Sequence, residues 1–241
     1  STLIVTGATW TSAATFEADT SKIRYTGAYT AIGGTFAGAS ENVKGTVEFG
    51  GTYNAAANTS FTDASVKYAI VGTVNVESGN FGFGSVEFSL ESGCAVTVAG
   101  NFLCGDSNGS KGYFNGGTLT ANKIVIGTKG SDASASEDYY FGDGSSANNT
   151  MVITANEIYN NYGGQSTGMH VHVRNGCTIN LKSRIWSDAT VNDSYRHWFL
   201  EGGKLAITDN CSILFQQLRS VTGTTEFEVA DSKTLTLTRS T

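Results

Sequence analysis

The chain of 241 residues contains no proline, although average usage predicts about a dozen. Proline cannot donate a hydrogen bond to a strand ladder and is confined to sheet edges and bulges. Helical periodicity is lacking as well, because apolar residues at 3.6-residue spacing are always interrupted by glycine. These absences exclude a helical protein and favour one in which most segments are internal strands.

Charged side chains are scarce, at 15% of residues against a usual quarter. The formal net charge of −6 argues against a nucleic-acid partner, since phosphate binding requires a basic surface. No stretch approaches the roughly 18 to 20 apolar residues of a membrane span. The surface is expected to be rich in hydroxyl and amide groups, as in many secreted proteins, so we expect an extracellular or cell-surface location.

A short line of sequence recurs along the chain and is the strongest positive signal. Residues 154–159 (TANEIY) repeat residues 120–125 (TANKIV), and looser copies occupy residues 98–103, 181–186 and 208–214. The copies lie about 22 to 34 residues apart and cluster near 27, and a period in this range indicates stacked supersecondary units. Each copy follows a short alternating strand, which indicates strand–turn–strand units.

These units predict an all-β fold, a single-stranded parallel β-helix or β-solenoid of about seven coils of roughly 27 residues. Residues 46–241 supply the regular coils. Residues 1–45 fit the register less well and are expected to form an irregular cap or first coil. No linker-like change of composition marks a boundary, so residues 1–241 are interpreted as a single β-solenoid domain.

Residues 117–127 (GTLTANKIVIG) carry a resemblance to a known group of proteins. They resemble the Gly-, Asn- and Thr-rich coils of parallel β-helix proteins on bacterial surfaces, including autotransporter passengers and related adhesins. The resemblance lies in the residue composition and the repeat period, and it covers residues 46 to 241. It implies an extracellular solenoid used as a stalk, adhesin or assembly subunit. The short chain and its four cysteines depart from that pattern.

The only three histidines are predicted to share one column of the solenoid. His170 and His172 lie two apart on a strand and share a face. A 27-residue offset sets His170 over His197 and over Asp143 in the flanking coils, about 5 Å apart. Asp143, His170, His172 and His197 are therefore predicted to converge as a first-row metal site or an Asp–His acid–base group. The alternative is a set of surface residues between aromatics.

Carboxylates in the long loops of residues 130–149 suggest a second kind of site. Asp132, Glu137 and Asp138 offer the oxygen ligands that Ca²⁺ prefers. Ca²⁺ or another divalent metal is thus the only cofactor that the sequence suggests. Solvated acidic turns are the alternative.

Aromatic residues cluster at corresponding places in nearby coils. Tyr139, Tyr140 and Trp198 are candidates for binding a glycan, because stacked rings on a solenoid face can bind sugars. The same rings can instead fill the interior of the coil.

The four cysteines are Cys94, Cys104, Cys177 and Cys211. In an exported chain they are compatible with two disulfides in any of three connectivities. Buried free thiols are the alternative.

Residues 233–239 form a regular alternating strand with no recognisable cap after it. An uncovered strand edge templates further pairing, which predicts self-association end to end or by strand donation; a fragment of a longer solenoid is the alternative. The expected function is that of a non-enzymatic structural or adhesive protein that stacks into a filament or surface layer. No pattern singles out an active site. A polysaccharide-binding or polysaccharide-degrading β-helix, of the lyase, hydrolase or phage tail-spike type, remains the alternative.

Overall fold

The computed structural model is built of β-strands, and the residues it describes contain no helix and so no helix able to cross a membrane. It describes residues 2–6, 15–17, 22–26, 28–29, 35–37, 45–55, 58–62, 66–105, 109–127, 136–145, 150–161, 168–187, 196–215 and 217–239. The strands within these ranges are β1 (Thr2–Val5), β2 (Thr15–Glu17), β3 (Lys22–Tyr25), β4 (Ala28–Tyr29), β5 (Thr35–Ala37), β6 (Gly45–Phe49), β7 (Thr52–Asn54), β8 (Thr59–Phe61), β9 (Val66–Ile70), β10 (Thr73–Val76), β11 (Phe81–Phe83), β12 (Glu87–Leu90), β13 (Ala95–Cys104), β14 (Lys111–Phe114), β15 (Gly117–Ile126), β16 (Glu137–Phe141), β17 (Met151–Asn160), β18 (Met169–Arg174), β19 (Cys177–Ser187), β20 (Arg196–Glu201), β21 (Lys204–Ile207), β22 (Cys211–Phe215), β23 (Gln217–Thr222), β24 (Glu226–Val229) and β25 (Leu235–Arg239).

The strands stack in parallel into two large sheets. The first sheet has ten strands in the order β1-β3-β6-β9-β12-β14-β16-β18-β20-β23. The second has 13 strands, and a separate pair joins β2 to β5. Every pairing between named strands is parallel, for example β3 with β6 and β16 with β18. The predicted all-β parallel solenoid is therefore confirmed.

The long strands of the second sheet each bend in the middle and supply two sides of a coil. The first half of β13 pairs with β10, and its second half pairs with β11. At the bend of β15 the outward residues Asn122 and Lys123 follow one another, so the alternation changes phase between Ala121 and Ile124. With one strand from the first sheet, each such coil has three sides.

The coils are shorter on average than the sequence predicts, and they vary in length. The offset between paired residues ranges from 20 for Lys67 and Glu87 to 34 for Asn122 and Asn156. It averages about 24 rather than 27, because the loops between strands differ in length while the strands stay in register. From β6 to β23 the first sheet encloses seven turns, in agreement with the predicted number. β1 and β3 continue this sheet ahead of β6.

The recurring line is a corner of the coil. Thr120 pairs with Thr154, and the pairing continues residue for residue, apart from the bend, to Ile126 and Asn160. The Asn156 amide donates to the Asn122 carbonyl oxygen over 2.7 Å, so the asparagines of the two copies form an amide ladder at the bend. The repeat is thus a structural element that turns the chain between two sides of the core.

Interior side chains form continuous columns along the axis. One column at the second side of the coil is aliphatic over four rungs, and all its members are buried: Ile124, Ile158, Ile185 and Ile213. Burying one such side chain stabilises the fold by about 1.5–3 kcal/mol. The core is therefore one continuous cluster built of stacked rows.

Replacing Ile158 by Ala is expected to lower the free energy of unfolding by about 2–5 kcal/mol, because the rungs above and below cannot collapse into the gap. Thr120→Ala, at an exposed outward position of a neighbouring strand, is the matched control and should change stability by less than about 0.5 kcal/mol. Urea denaturation followed by circular dichroism measures both. Equal effects would contradict the assignment of Ile158 to an interior column.

Candidate functional site

Two columns of outward side chains run along the first sheet, because residues two apart on a strand share a face. We call the first the charge column. Its members are Lys22, Thr46, Lys67, Glu87, Lys111, Asp138, His170 and His197. We call the second, two residues further along each strand, the ring column. Its members are Arg24, Glu48, Ala69, Ser89, Tyr113, Tyr140, His172 and Phe199.

The residue beneath His170 is Asp138, not Asp143. The predicted placement of Asp143 in the histidine column is wrong, because the offset between β16 and β18 is 32 residues and not 27. Asp143 lies beyond the end of β16, where its carboxylate accepts hydrogen bonds from the Ser145 amide (2.8 Å) and hydroxyl (2.6 Å). The prediction that His170 lies against His197 in one register is correct.

Asp138, His170 and His197 stack as neighbours in the charge column. His170 Nδ1 donates to Asp138 Oδ1 over 2.8 Å, and this hydrogen bond lowers the pKa of Asp138. The rings of His170 and His197 are stacked, with centroids 5.2 Å apart and an angle of 12° between the planes. Arg219 Nη2 donates to His197 Nε2 over 2.9 Å. Since ring nitrogens bind in the ring plane, two stacked imidazoles do not aim at one point between them.

His172 belongs to the ring column and has different neighbours. Its ring stacks on Phe199 at 4.5 Å and on Tyr140 at 4.6 Å. Its Nδ1 lies 3.2 Å from Glu201 Oε1, and Arg174 Nε donates to the other oxygen of that carboxylate over 3.2 Å. Burial lowers the pKa of His172, and the hydrogen bond to Glu201 offsets only part of that effect. This histidine is therefore held as the neutral ring of a stack.

Metal binding at the histidines would have to displace partners already in place. In the described part of the chain, no group of three or more His, Cys, Asp or Glu side chains is arranged to hold a metal ion. The three histidines instead contact Asp138, Glu201 and Arg219. Of the two predicted chemistries, an Asp–His pair corresponds to the hydrogen bond between Asp138 and His170. The metal site stays a prediction.

The residues predicted to bind calcium are not gathered on one surface. Glu137 is buried inside the coil, where it accepts a hydrogen bond from the Tyr139 hydroxyl over 2.9 Å. Asp138 points outward to His170, because consecutive residues of a strand face opposite sides. Asp132 lies outside the described residues. The structure thus separates the two described carboxylates by the thickness of the sheet.

The same alternation divides the aromatic residues predicted to bind a ligand. Tyr139 and Trp198 are fully buried and belong to one interior column, with Val171 between them. Tyr140 points outward and stacks between Tyr113 and His172. Two of the three rings therefore fill the interior of the coil, which is the alternative to ligand binding.

The outward rings cover one another's faces. Tyr113 and Tyr140 stack at 5.3 Å with 11° between their planes, and the stack continues through His172 to Phe199. The Arg174 guanidinium lies over the Tyr140 ring, 4.1 Å from its centroid. Such a stack presents ring edges to solvent, so Tyr140 offers no free face to a sugar. Sequence reasoning missed the continuous column, because its signal appears only when the true offsets align the coils.

A second outward cluster lies on the second sheet around Glu157. Its carboxylate accepts a hydrogen bond from Trp186 Nε1 over 2.7 Å and pairs with Arg184 at 3.4 Å and Lys123 at 3.8 Å. Burial alone would raise the pKa of Glu157, but the hydrogen bonds from Trp186 and Arg184 outweigh it and lower the pKa. The charged and polar groups of this cluster pair with one another, and these contacts connect three successive rungs.

The four cysteines are buried free thiols and not disulfides. Among the strand pairings they face other residue types: Cys104 pairs with Ile126, Cys177 with Met151 and Cys211 with Leu235. Burial raises the pKa of Cys94 and of Cys211 to about 11, so these thiols stay protonated and unreactive at neutral pH.

No family model, curated protein or solved structure matches this chain. The function must therefore be inferred from the packing and the surfaces of the solenoid.

Replacing His172 by Phe is expected to flatten the dependence of stability on pH. The lowered pKa of His172 means that the unfolded chain binds its proton first, so stability is complete above about pH 6.5 and falls as the pH drops below that value. Phe keeps a ring between Tyr140 and Phe199 but cannot titrate. Urea denaturation at pH 7.5 and pH 5 should show a smaller loss for the variant. An identical loss would contradict this role of His172.

Proposed function

We propose that the protein is a structural solenoid subunit that associates end to end through the strands of its first and last rungs. The supporting observation is where its exposed large apolar side chains lie. Within the described residues all of them belong to terminal rungs: Leu3, Ile4, Leu218, Phe227, Val229 and Leu237. Contiguous exposed apolar surface at one place indicates an interaction site.

The two ends of one interior column illustrate why these side chains are exposed. The column starts at Leu3, continues through Ile23, and ends with Trp198 and Leu218. Ile23 and Trp198 are buried, whereas Leu3 is 44% exposed and Leu218 is 48% exposed. Among the described residues, these two end members have a neighbouring rung on one side only.

The C-terminal rung of the second sheet shows the same pattern in three further columns. Phe227, Val229 and Leu237 pair with residues of the preceding rung that are themselves buried, namely Leu205, Ile207 and Ile213. All four residues of β24 are exposed. The last rung thus covers the core beneath it and leaves its own apolar side chains in water.

A parallel strand added to this edge would extend both the hydrogen-bond ladder and the columns. If β1 of a second copy pairs with β23 in the same register, Leu3 follows Leu218 in the interior column. Leu3 and Leu218 are 44% and 48% exposed, so burying the rest of each would contribute about half of the roughly 1.5–3 kcal/mol of full burial, and the strand edge adds main-chain hydrogen bonds. Because such a contact joins different surfaces of identical subunits, repetition gives a filament rather than a closed dimer.

The carboxylates of the first sheet also favour a structural role over a hydrolytic one. Four carboxylates on its outward face are paired across rungs with basic groups: Glu48 with Lys22, Glu87 with Lys67, Asp138 with His170 and Glu201 with Arg174. An extracellular, adhesive setting belongs to the same proposal. Its support is the low charge and the hydroxyl-rich sequence, together with the resemblance to β-helix coils on bacterial surfaces.

Replacing Leu218 by Lys is expected to abolish self-association, because the ammonium group would be buried at the junction of two subunits. Thr222→Lys places the same charge on the same strand, but in the outward column of Glu201, and should associate like the wild type. Sedimentation velocity over a concentration series, with negative-stain microscopy, measures both. Wild-type monomers at every concentration, or equal association of the two variants, would contradict the proposal.

A further inference from the structure

The outward face of the second sheet contains a stretch without charge. Over six successive described strands, β7, β10, β13, β15, β17 and β19, two outward columns lie side by side ahead of the bend. The first column is Thr52, Thr73, Ala95, Thr118, Val152 and Thr178, and the second is Asn54, Asn75, Thr97, Thr120, Thr154 and Asn180. We call these twelve positions the threonine face. Threonine fills seven of them and asparagine three, so hydroxyl, methyl and amide groups make up this surface.

The backbone beneath the threonine face is fixed by the core. In each strand one buried apolar side chain lies between the two outward residues: Tyr53, Val74, Val96, Leu119, Ile153 and Ile179. The pairing register is unbroken through all twelve positions, because the irregularities of the long strands come after Val98 and Ala155, beyond the face. Outward residues therefore repeat about 4.8 Å apart along the axis and about 6.6 Å apart along each strand.

The side chains of the face are held in place as well. Threonine is β-branched and so is restricted at χ1, which limits where its hydroxyl and methyl groups point. Asn75 Nδ2 donates to Asn54 Oδ1 over 3.2 Å, and Asn180 Nδ2 donates to Thr154 Oγ1 over 3.4 Å. The face is thus an ordered grid before it meets a partner.

The chemistry of the face disfavours the usual kinds of partner. It has no aromatic ring on which a sugar can stack and no cation that pairs with an anionic polymer. It also lacks a large apolar or aromatic anchor of the kind that dominates protein–protein contacts. Its central threonines, Thr97, Thr118 and Thr120, are exposed, and each hydroxyl carries one donor and two acceptor lone pairs. These properties suit a flat, uncharged partner that repeats its own donors and acceptors on a similar grid.

We propose that the threonine face binds ice. The two spacings of the grid are close to the repeat distances of water oxygens on a prism face of hexagonal ice, so threonine hydroxyls can take positions of the lattice while the methyl groups lie between them. No charged group of the face has to be stripped of water for this contact. Because the grid is already ordered, little side-chain freedom is lost on binding. The contacts add up over six rungs, a length of about 24 Å, since each further one is intramolecular.

Thermal hysteresis and the inhibition of ice recrystallisation measure this binding directly. Ice binding does not depend on end-to-end association, so the wild type and the Leu218→Lys variant are both expected to be active. In a nanolitre osmometer both should arrest ice growth below the melting point and shape the crystals into facets. Smooth, disc-shaped crystals without hysteresis for both proteins would overturn the proposal.

A protruding side chain in the middle of the face is the sharpest test of its location. Thr120→Tyr raises a ring above the grid without adding charge and is expected to remove most of the thermal hysteresis, because the flanking rungs no longer reach the lattice. Thr97→Tyr, one rung away, should have the same effect. Thr222→Tyr makes the same change at an exposed outward position of the first sheet and should leave the hysteresis unchanged.

Unaltered thermal unfolding, followed by circular dichroism, establishes that each variant is folded. Full hysteresis in folded Thr120→Tyr and Thr97→Tyr, or an equal loss in Thr222→Tyr, would refute the site. Microcrystalline cellulose is the control surface for a flat polymer. Binding to it that Thr120→Tyr abolishes, in the absence of hysteresis, would assign the face to a polymer and refute ice as its partner.

Discussion

The parallel register between successive rungs is the constraint on which the rest of the structure depends. It places equivalent side chains about 4.8 Å apart, so each residue packs chiefly against its counterparts one rung above and below. Inside the coil this favours apolar neighbours along a column, as in the row from Ile124 to Ile213. Outside it permits attraction between opposite charges, as for Lys67 and Glu87. Stability then accumulates along one dimension, rung by rung.

The same register decides what the surface can do. Tyr140 and His172 are each stacked between two neighbouring rings, and the Glu157 carboxylate contacts Trp186 and two basic side chains. A side chain that is satisfied by its own column has little left for a ligand. The proposed contact surface between subunits therefore lies where columns end, as at Leu218.

The fold could be predicted from sequence because the repeat is strongest where strands pair without insertion, as for residues 120–126 against 154–160. The site could not, because a column depends on the offset across loops of unequal length. The offset between β16 and β18 is five residues longer than the assumed 27, so Asp138 and not Asp143 lies beneath His170. A single step along a strand also separates Tyr139 in the core from Tyr140 on the surface. The local sequence pattern shows that inward and outward side chains alternate along a strand, but it does not show which residues face inward.

End-to-end association, as proposed, would continue the same register from one subunit to the next. It would add rungs along the axis at Leu3 and Leu218 and would leave the outward columns of the first sheet as they are. Each surface feature of those columns would then recur once per subunit along a filament. Repeated weak contacts with a polymeric partner would add up, because each further contact is intramolecular.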